Sequence, residues 1–270
     1  MNGKSVGDDL PPPITPWLMR GFRRVSHHLL RRHFHVVATH REALTRLGDL
    51  GSGAPVLVYG NHPSWWDPLI AMLLCERCMP ERRYYAPIDA RMLRKYRVFG
   101  QLGYFGVELS STRGAAAFLR RSKAILETPR ASLWLTPEGR FTDPRDRSVP
   151  MMPGLAHLAS KLQQGTIVPL ALEYTFWEER LPEMLSSFGK PIRVEELAGA
   201  DKAQWQEHLE ESLRRSQDEL AQAVISRQAS AFQVLLQGGR GAGALYDWGR
   251  RVRAWGQGRR ADVDHGEHFH

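Results

Sequence analysis

The sequence predicts an α/β fold, a single domain with a mostly parallel, mixed central sheet flanked by helices. Three short apolar segments, residues 55–60, 133–135 and 166–172, have the composition of buried strands. Helical segments are predicted between them at 67–74 and 155–162. This alternation favours a parallel sheet, in which functional sites lie at the carboxyl ends of the strands.

The composition is that of a globular protein with a basic surface. The chain has 270 residues, 42% hydrophobic and 24% charged, which excludes a disordered chain and a small disulfide-stapled protein. The 37 Lys and Arg residues outnumber the 29 Asp and Glu residues, and the net charge of +8 favours nucleic acid, anionic lipid or acidic substrates as partners. The apolar runs are too short for a membrane-spanning helix, and the N-terminus lacks the apolar centre of a signal peptide. We therefore expect a cytoplasmic protein that lies on a membrane if it meets one.

Two cysteines, Cys75 and Cys78, lie in an apolar helical stretch. They are too few for a disulfide framework and lack a second Cys or His pair at zinc-site spacing. Their C-x-x-C spacing also occurs in redox proteins, but the helical context favours buried core cysteines. The sequence thus predicts a reducing environment and no metal site.

The N-terminal region is predicted to contain a flexible arm, residues 1–14, and a basic amphipathic helix region, residues 15–47. Thr15 followed by Pro16 is a typical helix start. Apolar and basic residues then occupy different faces, namely Leu18, Phe22, Val25, Leu29 and Val36 against Arg20, Arg23, Arg24, Arg31 and Arg32. Two interpretations stay open. The helix packs on its own domain, or it lies in an anionic bilayer interface, for which Trp17 and the arginines are suited.

The rest of the chain divides into three predicted segments. By sequence pattern, these are a central domain at 50–200, a C-terminal helix at 201–237 and a basic tail at 238–270 that is predicted to be disordered. In the tail, arginines alternate with aromatic residues such as Trp248 and Trp255. This pattern also suits phosphate backbones with stacked bases, or lipid headgroups.

The strongest chemical signal is a histidine and an aspartate in the loop after the first predicted strand. His62 and Asp67 are five positions apart. At about 100° per residue they could not meet on one helix, so they meet only if His62 lies in the turn and Asp67 lies early in the next helix. The carboxylate would then fix the tautomer of the imidazole, whose other nitrogen could take a proton from a hydroxyl. The spacing alone leaves open a second interpretation, two unrelated surface residues.

A second polar cluster, residues 136–141, follows the predicted strand at 133–135. Gly139 allows a sharp turn and the close approach of a ligand, and Arg140 offers a planar fork that suits phosphate. A Glu-Gly-Arg turn is also common on protein surfaces, so this cluster alone is not specific.

Together and in this order, the two clusters resemble motifs of the lysophospholipid acyltransferase superfamily, which includes the 1-acylglycerol-3-phosphate acyltransferases. The family's first motif, N-H-x-S-x-x-D, and its third, P-E-G followed by arginine, match at Asn61, His62, Ser64, Asp67, Pro137, Glu138, Gly139 and Arg140. Residues 103–108 resemble the second motif, and Val168-Pro169-Leu170 resembles an apolar strand with V-P. The resemblance covers about residues 50–175, and the ordered combination is more specific than any single motif.

The resemblance implies a glycerolipid acyltransferase-like fold and an O-acyltransferase. Such an enzyme moves a fatty acyl group from an acyl-CoA or acyl-ACP thioester to the hydroxyl of a lysolipid such as 1-acylglycerol-3-phosphate. It implies His62 as the general base and Asp67 as the residue that orients it. The implied substrate-binding residues are Asn61, Ser64, Arg113, Glu138, Gly139 and Arg140.

The same resemblance sets the expected partners. We expect a lysolipid acceptor, acyl-CoA or acyl carrier protein, and an anionic membrane surface, with peripheral association at the inner face of the membrane and no nucleic acid. No metal or other cofactor is expected, because the thioester already supplies an activated acyl group. Ser64 is interpreted as a turn residue rather than a nucleophile, since no G-x-S-x-G sequence surrounds it.

The chain departs from the family pattern at Leu109, where relatives usually carry an arginine for the acceptor phosphate. Arg113 is the nearest substitute, and the capping residues before it place it in the first turn of a helix. We therefore expect Arg140 and Arg113 to be the anion contacts, and an acceptor that is not restricted to glycerol phosphate. The rival interpretation is a non-catalytic protein that binds anionic lipid or nucleic acid.

Overall fold

The computed structural model describes residues 10–48, 50, 53–108, 111–239 and 269. The strands are β1 (Val36–His40), β2 (Val56–Gly60), β3 (Arg83–Asp89), β4 (Tyr104–Val107), β5 (Ala131–Leu135), β6 (Thr166–Thr175), β7 (Glu183–Phe188), β8 (Ile192–Arg193) and β9 (Phe232–Gln237). The α-helices are α1 (Pro16–His33), α2 (Arg41–Thr45), α3 (Asp67–Cys78), α4 (Ala90–Lys95), α5 (Thr112–Leu126), α6 (Gly154–Ala159) and α7 (Lys202–Ile225).

The strands form one nine-stranded mixed sheet in the order β4-β3-β5-β2-β6-β7-β1-β9, with β8 beside β6. From β4 to β6 all neighbours run parallel. β7 is antiparallel to β6 and β9 is antiparallel to β1. The predicted α/β fold, a single domain with a mostly parallel, mixed sheet, is confirmed.

β2 lies in the middle of the sheet and is buried on both faces. Val56 and Val58 join the apolar cluster under α1 and α3, whereas Leu57 and Tyr59 join the cluster under α5, α6 and α7. The Tyr59 hydroxyl donates a hydrogen bond of 2.9 Å to the carbonyl of Leu209 in α7. Because side chains of a strand alternate between faces, burial on both sides requires the continuous apolar run seen in the sequence. The loop after β2 therefore starts from a rigid base.

The N-terminal helix is shorter than the predicted region of residues 15–47. α1 starts at Pro16 as expected but ends at His33, and Val36, which was assigned to the apolar face of the helix, lies in β1. Val36 is fully buried between β7 and β9. Val36 and Val37 are β-branched and favour a strand when strands pair with them on both sides. The helical periodicity of the sequence cannot reveal those neighbouring strands.

The predicted C-terminal helix at 201–237 is also too long. α7 ends at Ile225, and Arg227 has a positive φ of 50°, which a continuing helix does not permit. Residues 232–237 form β9, which pairs with β1. β1 and β9, which flank the segment predicted to be the central domain at 50–200, are thus built into the same sheet as that segment.

Most of the predicted arm and tail lies outside the described residues, at 1–9, 240–268 and 270. The described part of the arm is attached to the domain, since Ile14 forms a β-bridge with Leu102. Near the other end, Phe269 stacks on Trp177 with ring centroids 5.2 Å apart. Within the described ranges, no helix combines the length and the apolar character needed to cross a membrane.

The two cysteines belong to the interior of α3. Cys75 is buried and Cys78 is partly buried, and both are free thiols. Burial raises the pKa of Cys75 to about 11 and that of Cys78 to about 12, so both stay protonated at neutral pH. The prediction of buried core cysteines is confirmed for Cys75, whereas Cys78 is only partly buried.

Candidate active site

The site begins where β2 ends, and Asn61 fixes the position of the following turn. Its side-chain Nδ2 donates to the carbonyl of Leu172 in β6, and its Oδ1 accepts from the backbone N–H of the same residue, both at 2.9 Å. Asn61 is completely buried. Gly60 makes the close approach of the strands possible, since a Cβ there would lie 2.7 Å from the Leu170 carbonyl oxygen.

Asn61 was expected among the substrate-binding residues, but its buried side chain contacts the backbone of β6 instead. Both polar atoms of its side chain are used by the backbone of β6, and no surface is exposed. Its role is to hold the turn of residues 61–66 against the neighbouring strand β6. We name this segment the catalytic turn, after the hypothesis that His62 is the general base.

His62 and Asp67 form the expected pair. His62 lies in the turn, Asp67 is the first residue of α3, and Pro68 follows it in the first turn of the helix. The Nδ1 of His62 is 2.6 Å from Oδ2 of Asp67. This bond leaves Nε2 of the imidazole as the ring nitrogen that is available to a substrate, and the His62 side chain is 18% exposed. The geometry is that of a general base oriented by a carboxylate.

Asp67 is almost completely buried and accepts two further hydrogen bonds. The backbone N–H of Ser64 donates to Oδ2 at 3.0 Å, and the hydroxyl of Tyr174 donates to Oδ1 at 2.6 Å. The Ser64 hydroxyl accepts from the backbone N–H of Trp66 at 3.2 Å, which confirms Ser64 as a turn residue. A buried carboxylate needs such donors because it has lost its water.

Tyr174 is a residue of the candidate site that the sequence did not indicate. It lies in β6, 107 residues from Asp67 along the chain. Burial and the adjacent Asp67 carboxylate raise the pKa of the Tyr174 hydroxyl well above its ordinary value. The hydroxyl therefore remains a hydrogen-bond donor to Asp67 throughout the neutral and mildly alkaline pH range. Tyr174 lies two residues beyond the strand predicted at 166–172, so no local pattern pointed to it.

We expect Tyr174→Phe to lower kcat about tenfold without changing KM. One hydrogen bond to a charged group contributes about 1.5–3 kcal/mol, and the residue orients Asp67 rather than touching substrate. Steady-state kinetics and thermal unfolding of the variant would check this. A variant with an unchanged kcat and only a lower Tm would show that Tyr174 supports the fold alone.

Glu138 braces the catalytic turn from the second cluster. Its Oε2 accepts from the backbone N–H of His62 at 2.9 Å and from the hydroxyl of Thr142. The backbone N–H of Thr142 in turn donates to the His62 carbonyl at 3.0 Å. The loop that carries the second motif thus meets His62 through two hydrogen bonds, and a third bond, from Thr142 to Glu138, lies within that loop. Glu138 was expected to bind the acceptor, and here its Oε2 holds two loops together.

Gly139 has the positive φ of 66° that the sharp turn requires. A Cβ at this position would lie 2.5 Å from the sulfur of Met152, so the flexible Met152 side chain would have to move. Met152 is held there by a hydrogen bond of 2.8 Å from its backbone N–H to the Pro137 carbonyl. Gly139 therefore serves the shape of the loop.

The two predicted anion contacts are both exposed arginines. Arg140 lies in the loop between Glu138 and Thr142, next to the turn that carries His62. Arg113 is in the first turn of α5, as expected, and the helix is capped by Ser111, whose hydroxyl accepts from the backbone N–H of Gly114 at 2.9 Å. Leu109, on which the expectation about the acceptor rests, lies outside the described residues.

Three exposed aromatic side chains lie in or next to the segments that carry His62, Glu138 and Tyr174. The Phe141 ring lies 4.5 Å from the His62 ring between centroids. Trp65 in the catalytic turn and Phe176, two residues after Tyr174, are also largely exposed, at 65% and 64%. We name Trp65, Phe141 and Phe176 the aromatic rim. An exposed group of this kind is typical of a surface that binds an apolar partner.

Comparison with known proteins agrees with the geometry. The family model described as Acyltransferase matches residues 27–173, slightly more than half of the chain. The matched segment contains both motifs, the catalytic turn and Tyr174's neighbours in β6. No curated protein matches the chain. The resemblance found in the motifs and the family match reach the same result, and the chain belongs to the Acyltransferase family, that of the lysophospholipid acyltransferases.

Proposed function

We propose that the protein is an O-acyltransferase that moves a fatty acyl group from an acyl-CoA or acyl-ACP thioester to the hydroxyl of a lysolipid. The family supports acyl transfer in general. The observation that carries the finer proposal is the 2.6 Å bond between Oδ2 of Asp67 and Nδ1 of His62, which leaves Nε2 of a partly exposed ring available beside Phe141 of the aromatic rim.

The mechanism follows from this arrangement. Nε2 of His62 takes the proton of the acceptor hydroxyl while the oxygen attacks the thioester carbonyl carbon. The buried carboxylate of Asp67 stabilises the resulting imidazolium, and Tyr174 and the Ser64 backbone hold that carboxylate in place. Collapse of the tetrahedral intermediate breaks the carbon–sulfur bond. The imidazolium then returns the proton to the thiolate, so that the histidine is neutral again.

No metal or redox cofactor is needed in this proposal. The thioester is already activated, and the chemistry consists of one proton transfer and one acyl transfer. In this proposal the aromatic rim contacts the apolar acyl chains, and the exposed arginines bind an anionic headgroup.

The proposal has two versions, which differ in the headgroup of the acceptor lipid. A 1-acylglycerol-3-phosphate acceptor requires a guanidinium for its phosphate, and Leu109 cannot supply one, so Arg140 and Arg113 are the proposed contacts. The alternative acceptor is a lipid with another headgroup. A third possibility, a non-catalytic protein that binds anionic lipid or nucleic acid, gives no reason for the buried Asp67 beside His62.

Turnover of a long-chain acyl-CoA with a panel of lysolipids, followed by mass spectrometry, tests the activity and the acceptor together. We expect an acylated product, with zwitterionic or glycosylated lysolipids at least as active as 1-acylglycerol-3-phosphate. Arg140→Ala and Arg113→Ala are expected to raise KM for anionic acceptors about tenfold each. A strong preference for the phosphate monoester that is lost in Arg140→Ala but kept in Arg113→Ala would contradict the part assigned to Arg113.

We also propose that the protein associates peripherally with the inner face of the membrane through α1. The helix packs Met19, Ser26 and Leu30 on the domain, so one face is part of the fold. Its outer face exposes Trp17 and Val25, at 68% and 57%, among exposed arginines. One face of α1 thus packs on the domain, and the outer face is the proposed membrane contact.

Replacing Arg20, Arg24 and Arg31 by glutamine is expected to weaken binding to anionic vesicles roughly 100-fold at low salt, since each arginine near a charged surface contributes about 1 kcal/mol. These three are exposed, whereas Arg23 lies 3.6 Å from Glu76 and is left unchanged. Sedimentation with vesicles at rising salt measures the effect.

The matched control removes three exposed arginines elsewhere, at positions 193, 214 and 215. It should bind vesicles like the parent protein. Equal binding by the α1 variant and the parent at low salt would show that the helix only packs on the domain.

A further inference from the structure

Three arginines from three separate elements line a pocket at the β4 edge of the sheet. Arg94 belongs to α4, Arg97 begins the 3-10 turn Arg97–Gln101, and Arg121 belongs to α5. The pocket has a volume of about 410 Å³, which is in the range of small-molecule sites. The remaining lining residues are small or apolar: Ala90, Leu93, Phe105, Gly106 and Ala117.

Asp89, the acidic residue that precedes α4, forms its ion pair with Arg91 rather than with Arg94 or Arg97. Asp89 is held by Arg91 at 2.9 Å, and the hydrogen bonds from Arg91 lower the pKa of Asp89 to about 2. Among the described residues, no carboxylate lies within ion-pair distance of Arg94 or Arg97. A concave site with two such guanidinium groups is complementary to phosphate, which the planar fork of arginine binds through paired hydrogen bonds.

The sheet places this pocket level with the catalytic turn. Phe105 of β4 is aligned with Pro87 of β3, and Tyr59 of β2 is aligned with Leu135 of β5. β3 and β5 are in register from Arg83 to Tyr85, which brings these residues to about the same height in the sheet. The pocket therefore opens near the same carboxyl ends of the parallel strands that carry His62.

The lateral distance decides which phosphate the pocket could hold. β4 is separated from β2 by β3 and β5, so three strand spacings of about 4.8 Å put the pocket roughly 14 Å or more from the catalytic turn. The phosphate of a lysophosphatidate lies on the same glycerol as the reacting hydroxyl and could not span that distance. In coenzyme A, by contrast, the long pantetheine arm separates the thioester from the nucleotide phosphates.

We propose that the Arg94–Arg97–Arg121 pocket binds the nucleotide phosphates of an acyl-CoA donor. This inference rests on the proposed function and goes beyond it, because it selects coenzyme A thioesters as the donor class and assigns them a site separate from the acceptor's arginines. The acyl chain and pantetheine arm would then lie across the carboxyl ends of β3 and β5 toward His62.

Direct binding tests the site without any turnover. The probe is adenosine 3′,5′-bisphosphate, titrated calorimetrically into the whole protein, an Arg94→Gln/Arg97→Gln variant and a control with Arg214→Gln/Arg215→Gln, which loses the same charge on α7. We expect the first variant to bind at least tenfold more weakly and the control to bind like the parent. No binding to the parent, or equal weakening in both variants, would overturn the proposal. So would competition by inorganic phosphate alone at the same concentration, because the nucleotide would then add nothing.

Kinetics with two donors tests the connection to catalysis. In the Arg94→Gln/Arg97→Gln variant, KM for acyl-CoA should rise at least tenfold, while KM for the lysolipid and the turnover of S-acyl-pantetheine, which has no phosphates, should not change. A rise in KM for the lysolipid instead would assign the pocket to the acceptor and overturn the proposal. If the bisphosphate binds through these arginines but no lysolipid is acylated, the proposed function fails and the binding site stands.

Discussion

His62→Ala is expected to lower the rate of acyl transfer by about 10²-fold to 10⁴-fold, because a positioned general base typically contributes that much. The variant should stay folded, since the His62 backbone, rather than its ring, makes the contacts to Glu138 and Thr142. Release of the free thiol measures the rate, and thermal unfolding verifies the fold. His28→Ala, an exposed histidine of α1, is the matched control and should keep full activity. Turnover near that of the parent in folded His62→Ala would refute the general-base role.

Asp67→Asn separates the charge from the hydrogen bonds. The amide oxygen can still accept from His62 and Ser64, and the amide nitrogen can donate to the Tyr174 oxygen after its hydroxyl rotates. We therefore expect a near-native Tm and a rate about 10²-fold lower, because the imidazolium loses the carboxylate that stabilises it. A large loss of stability with little loss of kcat would mean that Asp67 serves the fold alone.

The catalytic pair could be predicted from the sequence because it is local. His62 and Asp67 are five residues apart, and an apolar strand before them and Pro68 after them fix the turn and the helix start. Once the turn and helix were assigned, only one arrangement brought the two side chains together. The same holds for Arg113, whose place in the first turn of α5 follows from the cap at Ser111.

The supporting residues could not be predicted because their partners are distant in sequence. Tyr174 reaches Asp67 only because β6 pairs with β2 in the register that sets Gly60 against Leu170. A shift of one residue would turn Tyr174 to the opposite face of the sheet. The brace from Glu138 to His62 likewise joins loops that are 76 residues apart. The sequence around Glu138, a proline before it and a glycine after it, did not indicate which donor its carboxylate would accept a hydrogen bond from.

The strand β1 was mispredicted as helix for a different reason. The amphipathic pattern continues past His33, and the sequence therefore predicted helix where β1 is found. β1 is a strand because β7 and β9 offer it hydrogen bonds on both sides. β9 lies almost 200 residues later, at 232–237, so the strand depends on contacts that no local window contains.

Asn61→Ala is expected to cause the largest loss of stability of the substitutions considered for the site. It removes both partners of the Leu172 backbone in a fully buried position, and each unsatisfied buried group costs about 1–3 kcal/mol. The free energy of unfolding should fall by about 2–4 kcal/mol, which corresponds to roughly 5–15 °C in Tm. Denaturant unfolding of the parent and the variant measures this directly.

For Asn61→Asp, we expect a loss of stability that depends on pH. At neutral pH one carboxylate oxygen can still accept from the Leu172 N–H, but the other faces the Leu172 carbonyl where the parent has a donor. Burial and this repulsion disfavour the charged form of the introduced carboxyl, so its pKa is higher in the native state than in the unfolded state. The variant should therefore be at least as unstable as Asn61→Ala at pH 7, and its deficit relative to the parent should shrink as the pH falls and the protonated carboxyl donates to the carbonyl. The deficit of Asn61→Ala, which adds no titratable group, should stay constant over the same range. Equal deficits for the two variants at every pH would show that the amide donor of Asn61 does not hold β2 to β6.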